Sequence, residues 1–269
     1  MTPHKVQKVI DAHLHLSPMI SRSALLSAKQ LDADLAAAGV SRAVVLHLLY
    51  QPWNDAPAWS AEEFAEAMAA YPRLRGFINI DPLREDACNR LRAGVESLGY
   101  AGLKLHPRLQ NFSLEEAGVT RLVGFAGEMG VPVLIDAFPD GDWLMMGFNP
   151  LTFARLARKC PQTKIIIAHF GGHYCLDFMM LAKRIPNIWF DLSYSLLYYA
   201  GSPVVDNLLY CCKSMKYRRV MYGSDYPDRS IADTVRMSLK IFEERGIVGG
   251  DLDALLWRNA REFFGWQDL

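Results

Sequence analysis

Residues 164–172 read Lys-Ile-Ile-Ile-Ala-His-Phe-Gly-Gly. A short β-branched run of this kind suits a strand buried on both faces, and the histidine that follows it breaks the apolar pattern. Behind it, 176–184 has helical periodicity. The same unit recurs along the chain. Strands are expected at 6–12, 42–48, 74–80, 102–105, 131–135, 164–168, 188–191 and 219–223. Helices are expected at 24–38, 60–70, 85–98, 114–129, 150–159, 176–184, 203–213 and 231–245. Several end at a glycine suited to a left-handed cap, namely Gly39, Gly99, Gly130 and Gly246. Alternating strands and helices imply a parallel α/β sheet. Eight such units close most economically into a (β/α)8 barrel, with a ninth helix at 251–264 packed outside it. An open doubly wound sheet is the alternative, and the lack of a G-x-G-x-x-G after the first strand counts against it.

Bulk properties agree. At 269 residues, with 51% hydrophobic and 22% charged residues, the chain can bury one large core, so residues 1–269 read as a single domain. Lysine plus arginine equals aspartate plus glutamate at 29 each, which disfavours nucleic acid and anionic membranes as partners and fits a small-molecule substrate. The five cysteines include no C-x-x-C pair, and an odd number argues against a disulfide framework. Cys211-Cys212 reads as part of a buried helix face. No long apolar stretch precedes Asp11 and no run of about 18 apolar residues occurs anywhere, so a cytoplasmic location is expected. A homodimer is possible on the commonness of twofold assemblies alone.

In a parallel barrel, functional groups belong where strands give way to loops. Asp11-Ala12-His13-Leu14-His15 ends the first strand, and alternation puts His13 and His15 on one side, within reach of a single ion. Strand four runs into Lys104 and His106, again two apart. Strand five ends in Asp136, strand six in His169 and strand eight in Asp225. A lone histidine is more often a hydrogen-bonded core residue than a ligand. Charged groups are rarely buried without a partner, however, and five strands converging on them exceeds what stability requires.

In that order, D-A-H-L-H from Asp11, G-L-K-L-H-P from Gly102, I-A-H-F-G-G from Ile167, Y-G-S-D-Y-P from Tyr222 and W-R-N-A-R-E-F-F-G from Trp257 resemble the amidohydrolase-related family of TIM-barrel enzymes. That family includes metal-dependent hydrolases, lactonases such as pyrone-dicarboxylate lactonase, and non-oxidative decarboxylases such as aminocarboxymuconate-semialdehyde decarboxylase. The resemblance implies one divalent metal, zinc or alternatively manganese. It implies His13 and His15 as ligands, His169 as ligand or catalytic acid, and Asp225 as ligand and proton acceptor. On strand five the family pattern P-V-x-x-H ends in histidine, where this chain has Asp136.

Three outcomes are open for Asp136. It ligates the metal directly; it hydrogen-bonds a ligand imidazole and leaves His13, His15 and Asp225 as the site; or the metal is lost and these groups act as acids and bases alone. Lys104 is read as an electrostatic or hydrogen-bonding group facing the pocket, against a carbamylated metal bridge or a lysine paired to Asp136. His106 is a substrate contact or a satisfied strand-end histidine. Arg108, His173 and Arg229 follow the motifs closely and are expected at the pocket rim, where an arginine suits a carboxylate. Phe138, Trp143, Phe148, Tyr194, Tyr198 and Tyr226 lie in the same loops, and 138–149 has the length of a lid.

The leading expectation is hydrolysis of a small lactone, amide or ester, with metal-activated water and Asp225 as base. Non-oxidative decarboxylation of an unsaturated or aromatic acid is the alternative. A metal-free lactonase and a non-catalytic ligand-binding barrel are further alternatives, and a nuclease is disfavoured by the balanced charge.

Overall fold

The computed structural model describes residues 8–16, 27–49 and 59–267; positions 6–7 of the expected first strand and 24–26 of the first helix lie outside them. Eight strands alternate with helices: β1 (Val9–His15), β2 (Val40–Leu46), β3 (Leu74–Asn79), β4 (Gly102–Leu105), β5 (Val133–Ile135), β6 (Ile165–Ile167), β7 (Ile188–Asp191) and β8 (Val220–Met221). All neighbouring pairs are parallel and follow sequence order. The ring closes through backbone bonds between β1 and the chain at and beyond β8: Ala12 N to Tyr222 O at 2.9 Å, Asp225 N to His13 O at 2.8 Å and His15 N to Tyr226 O at 2.8 Å. The expected barrel is what the chain forms.

Period-two alternation sorts the side chains. In β6, Ile166 belongs to the inner cluster with Ile10, Val44, Phe77, Leu134 and Met221, while Ile165 and Ile167 join the larger cluster under the helices. The helices carry their own end signals. Ser60 and Glu63 form a reciprocal cap at the start of Ala61–Met68. Gly99, at φ +74°, ends Ala87–Leu98 in the left-handed turn read from the sequence, and Gly39, Gly130 and Gly246 also have positive φ.

The C-terminal segment departs from expectation in its place. Ala260, Phe263 and Trp266 belong to the inner cluster, Arg75 Nη1 donates to Phe264 O at 2.8 Å, and Phe263 meets Trp189 edge-on with ring centres 4.6 Å apart. The helix Asn259–Phe264 therefore floors the barrel at the strands' N-terminal ends instead of packing only against its outside. That leaves the opposite mouth for chemistry. All five cysteines are free, with Cys211 and Cys212 buried on their helix as expected. Among the described residues no helix is long and apolar enough to cross a membrane.

Candidate active site

A β-bulge aims the first strand's histidines. Asp11 pairs with Ala43 and Leu14 with Val45, so three steps on β1 face two on β2. Ile10 and Ala12 point into the barrel; the extra residue shifts the parity, so that Leu14 packs outward and His13 and His15 turn to the mouth. Asp11 staples this bend, its Oδ1 accepting from His13 N at 3.1 Å and Ser224 N at 2.9 Å. Its burial pushes its carboxyl up to about 6, against those hydrogen bonds. Gly223 is needed opposite, because a Cβ there would stand 2.9 Å from both the His13 Cβ and the Ser193 Cβ.

Asp225 Oδ1 lies 3.1 Å from His13 Nε2 and 3.5 Å from His15 Nε2. The other ring nitrogens face groups that only accept: Asp191 Oδ2 lies 3.0 Å from His13 Nδ1 and Leu46 O 3.3 Å from His15 Nδ1. Each Nδ1 therefore carries its proton, and both Nε2 atoms turn lone pairs toward a carboxylate oxygen. Three such atoms stay together only with a proton or a cation between them. The buried His13 Nε2 has no hydrogen-bond partner. Burial works against a charge on His13, yet Asp191 and Asp225 raise it to about 9. Burial likewise opposes charge on Asp225, but His13 and His15, with His169 behind them, hold it well below the usual carboxylate range. Donor atoms of these three residues lie within 4.8 Å of one another, and two imidazoles with a carboxylate suit zinc or manganese. The residues fit the metal.

Asp136 stands apart from that cluster. Its Oδ1 is 3.0 Å from His169 Nε2 and 3.6 Å from His106 Nε2. Burial would raise its carboxyl, but the His106 and His169 imidazoles and Lys104 outweigh this and hold it far below the usual range. His106 Nδ1 accepts from Leu109 N at 3.4 Å, so its proton sits on Nε2, and burial pushes its pKa down to about 3. Lys104 is buried at the cavity wall, and among the described residues its ammonium has no ion-pair partner, Asp136 included. Burial lowers its pKa, which the fields of Asp136, Asp225 and Asp191 partly restore.

These groups floor a cavity of about 500 Å³. Phe138, Tyr194 and Tyr198 form one wall: Phe138 meets Tyr194 edge-on at 4.8 Å and Tyr198 at 5.1 Å, and the two tyrosines stack at 5.0 Å. Arg108 reaches the rim as expected, its Nε 3.0 Å from Asp140 Oδ2. His169, Tyr194 and Asp225 have φ of +59°, +56° and +56°, backbone conformations that concentrate where function over-determines geometry.

Two rim expectations are corrected. His173 is exposed and bonds Tyr199 Oη at 3.1 Å, because the left-handed run from His169 to Gly172 turns it out of the mouth. Arg229 lies on the far side of Tyr194, 3.5 Å from Asp228. Nor is 138–149 a lid. Asp140 Oδ1 caps the short helix Gly141–Met145 by accepting from Trp143 N at 2.9 Å, and Trp143 and Phe148 are anchored in a buried aromatic cluster with Phe153. Tyr226 is buried in the core as well. The sequence reading passed over Asp191 and Ser193, although Asp191 ends β7 just as the named residues end their strands.

The amidohydrolase family model matches residues 10–266, and the chain belongs to that family. A search of curated proteins finds no match. Among solved structures, the chain is similar to one from Acinetobacter baumannii described as a probable 2-pyrone-4,6-dicarboxylic acid hydrolase with citric acid bound: 18% identity, 96% of this chain, 99% of that one, TM-score 0.68. It is similar to an amidohydrolase from Burkholderia multivorans with bound zinc, at 15% identity, 96% and 99% coverage and TM-score 0.68. It is also similar to 5-carboxyvanillate decarboxylase from Novosphingobium aromaticivorans with manganese and 3-methoxy-4-hydroxy-5-nitrobenzoic acid, at 16% identity, 96% and 97% coverage and TM-score 0.69. At these identities the likeness is one of fold.

Proposed function

We propose that this amidohydrolase-family enzyme is a metal-dependent hydrolase of a small lactone, amide or ester. The observation that carries the reading is the convergence of His13 Nε2, His15 Nε2 and Asp225 Oδ1 beside the cavity. These three would hold one divalent ion, zinc or alternatively manganese; proteins of similar fold hold each. When bound, the ion supplies Lewis acidity, polarising a carbonyl and bringing the pKa of water from near 16 toward about 7.

The protein's own groups divide the proton work. Asp225, kept ionised by the imidazoles around it, accepts the proton of the attacking water. His169 Nε2 faces Asp136 and the cavity, placed to donate to the developing oxyanion or the leaving group. Asp136 stays outside the ligand set and hydrogen-bonds His169, which in this reading is the acid–base imidazole and not the ligand imidazole expected as its partner. Lys104 adds a positive field to the floor, and His106 and Arg108 contact the substrate. The wall of Phe138, Tyr194 and Tyr198 holds a planar group and excludes water.

That aromatic wall also favours a second reading, non-oxidative decarboxylation of an aromatic acid with Arg108 on its carboxylate. Product analysis separates the two. Zinc-loaded protein is given a panel of lactones and aryl esters and, separately, hydroxylated aromatic acids. Ring-opened or cleaved product that disappears in Asp225→Asn supports hydrolysis; carbon dioxide from the acids with no hydrolysis overturns it.

A further inference from the structure

The Asp191 carboxylate, at the end of β7, is fully buried and takes four donors. Its Oδ2 lies 3.0 Å from His13 Nδ1. Its Oδ1 accepts from the backbone N–H groups of His169 at 3.1 Å and Ser193 at 3.0 Å, and from the Ser193 hydroxyl. That hydroxyl, its one proton given to Asp191, has lone pairs left for two ring donors. It stands 3.1 Å from His13 Nδ1 and 3.0 Å from His169 Nδ1. The Ser193 carbonyl, which can only accept, is 3.1 Å from the same His169 nitrogen.

His13, His169 and Asp191 have donor atoms spaced as a second metal site would need. The hydroxyl of Ser193 touches all three residues, standing where such an ion would sit, and every hydrogen-bonding atom there already has a partner. A hydrogen-bonded hub is what the geometry supports.

We propose that Asp191, together with Ser193, is a positioning residue that holds the ring proton on Nδ1 of both His13 and His169 and thereby turns Nε2 of His13 to Asp225 and Nε2 of His169 to Asp136 and the cavity. One carboxylate thus orients a metal-facing imidazole and an acid–base imidazole together. The effect on metal affinity rests on the ligand role proposed for His13; the tautomer does not.

Asp191→Asn tests this because its amide has one allowed orientation. The oxygen must take the place of Oδ1, where two backbone N–H groups point, so the NH2 faces His13 Nδ1 and donates to it. The His13 proton then moves to Nε2, the atom that must be bare to bind an ion. Long-range 1H–15N spectra of histidine-labelled protein, with His13→Gln and His169→Gln for assignment, read the tautomers directly. Wild type is expected to show Nδ1–H on both rings. Asp191→Asn is expected to show Nε2–H on His13 and zinc binding weaker by about ten- to hundredfold, whereas Ser193→Ala keeps Nδ1–H on His13. A wild-type His13 with a bare Nδ1 overturns the proposal, and needs no variant to fold. So does a folded Asp191→Asn with Nδ1–H and unchanged zinc affinity. Wild-type protein that takes up no zinc defeats the metal reading instead, and the His13 proton still decides the hub.

Discussion

Asp136 Oδ1 lies 3.0 Å from His169 Nε2, and this carboxylate belongs to the histidine that follows β6 and not to the pair on β1. With Ser193 O accepting from His169 Nδ1, Nε2 is the ring atom that faces Asp136 and the cavity.

Asp136→Asn keeps the shape and removes the negative charge that faces His169 Nε2. The expected result is a fall in kcat of about a hundredfold with KM nearly unchanged and zinc content retained. Steady-state kinetics beside elemental analysis checks it, and loss of zinc would return Asp136 to the ligand set.

Gly223 marks the closest approach in the site. A methyl group at Gly223 would stand 2.9 Å from the Cβ atoms of His13 and Ser193, both fixed by backbone bonds and buried packing. Gly223→Ala is expected to cost about 1–3 kcal/mol in urea unfolding and to weaken zinc binding, because the relief available is to displace His13.

His47, behind the end of β2, gives a pH-dependent stability. Burial holds its pKa below the ordinary 6.5, against its contact with Trp59 O at 2.7 Å. Above pH 6.5 neither folded nor unfolded chain protonates it, and its contribution is fully present. As the pH falls below 6.5 the unfolded chain takes up a proton that the folded one refuses, and stability declines until the folded value is passed. His47→Gln can still donate to Trp59 O and does not titrate. Its disadvantage relative to wild type in urea should therefore shrink between pH 8 and pH 5, by at most about 1.4 kcal/mol per pH unit. A constant difference would contradict the assignment.

Much of this was legible because strand ends are marked by composition. The bounds of β4 and β7 coincide with those read from the sequence, His13 and His15 share one side as alternation placed them, and His169 and Asp225 follow the ends of β6 and β8. What the sequence hid is long-range. The bulge that turns His13 inward exists only in the register against β2. Asp140, from the loop after β5, takes the Nε of Arg108 from the loop after β4, a pairing no local pattern announces. His173 was misplaced because Gly171 and Gly172 follow a histidine and a phenylalanine that also adopt positive φ, and four left-handed residues redirect the chain. Asp191 was open to the same reading, since it ends β7 in a charge.

The most direct test of the account is the zinc content of chelator-stripped and reloaded protein, measured by elemental mass spectrometry on wild type, Asp136→Ala and His13→Ala. The account predicts about one equivalent in wild type and in Asp136→Ala and almost none in His13→Ala. Loss from Asp136→Ala alongside His13→Ala, or no uptake by wild type, would contradict it.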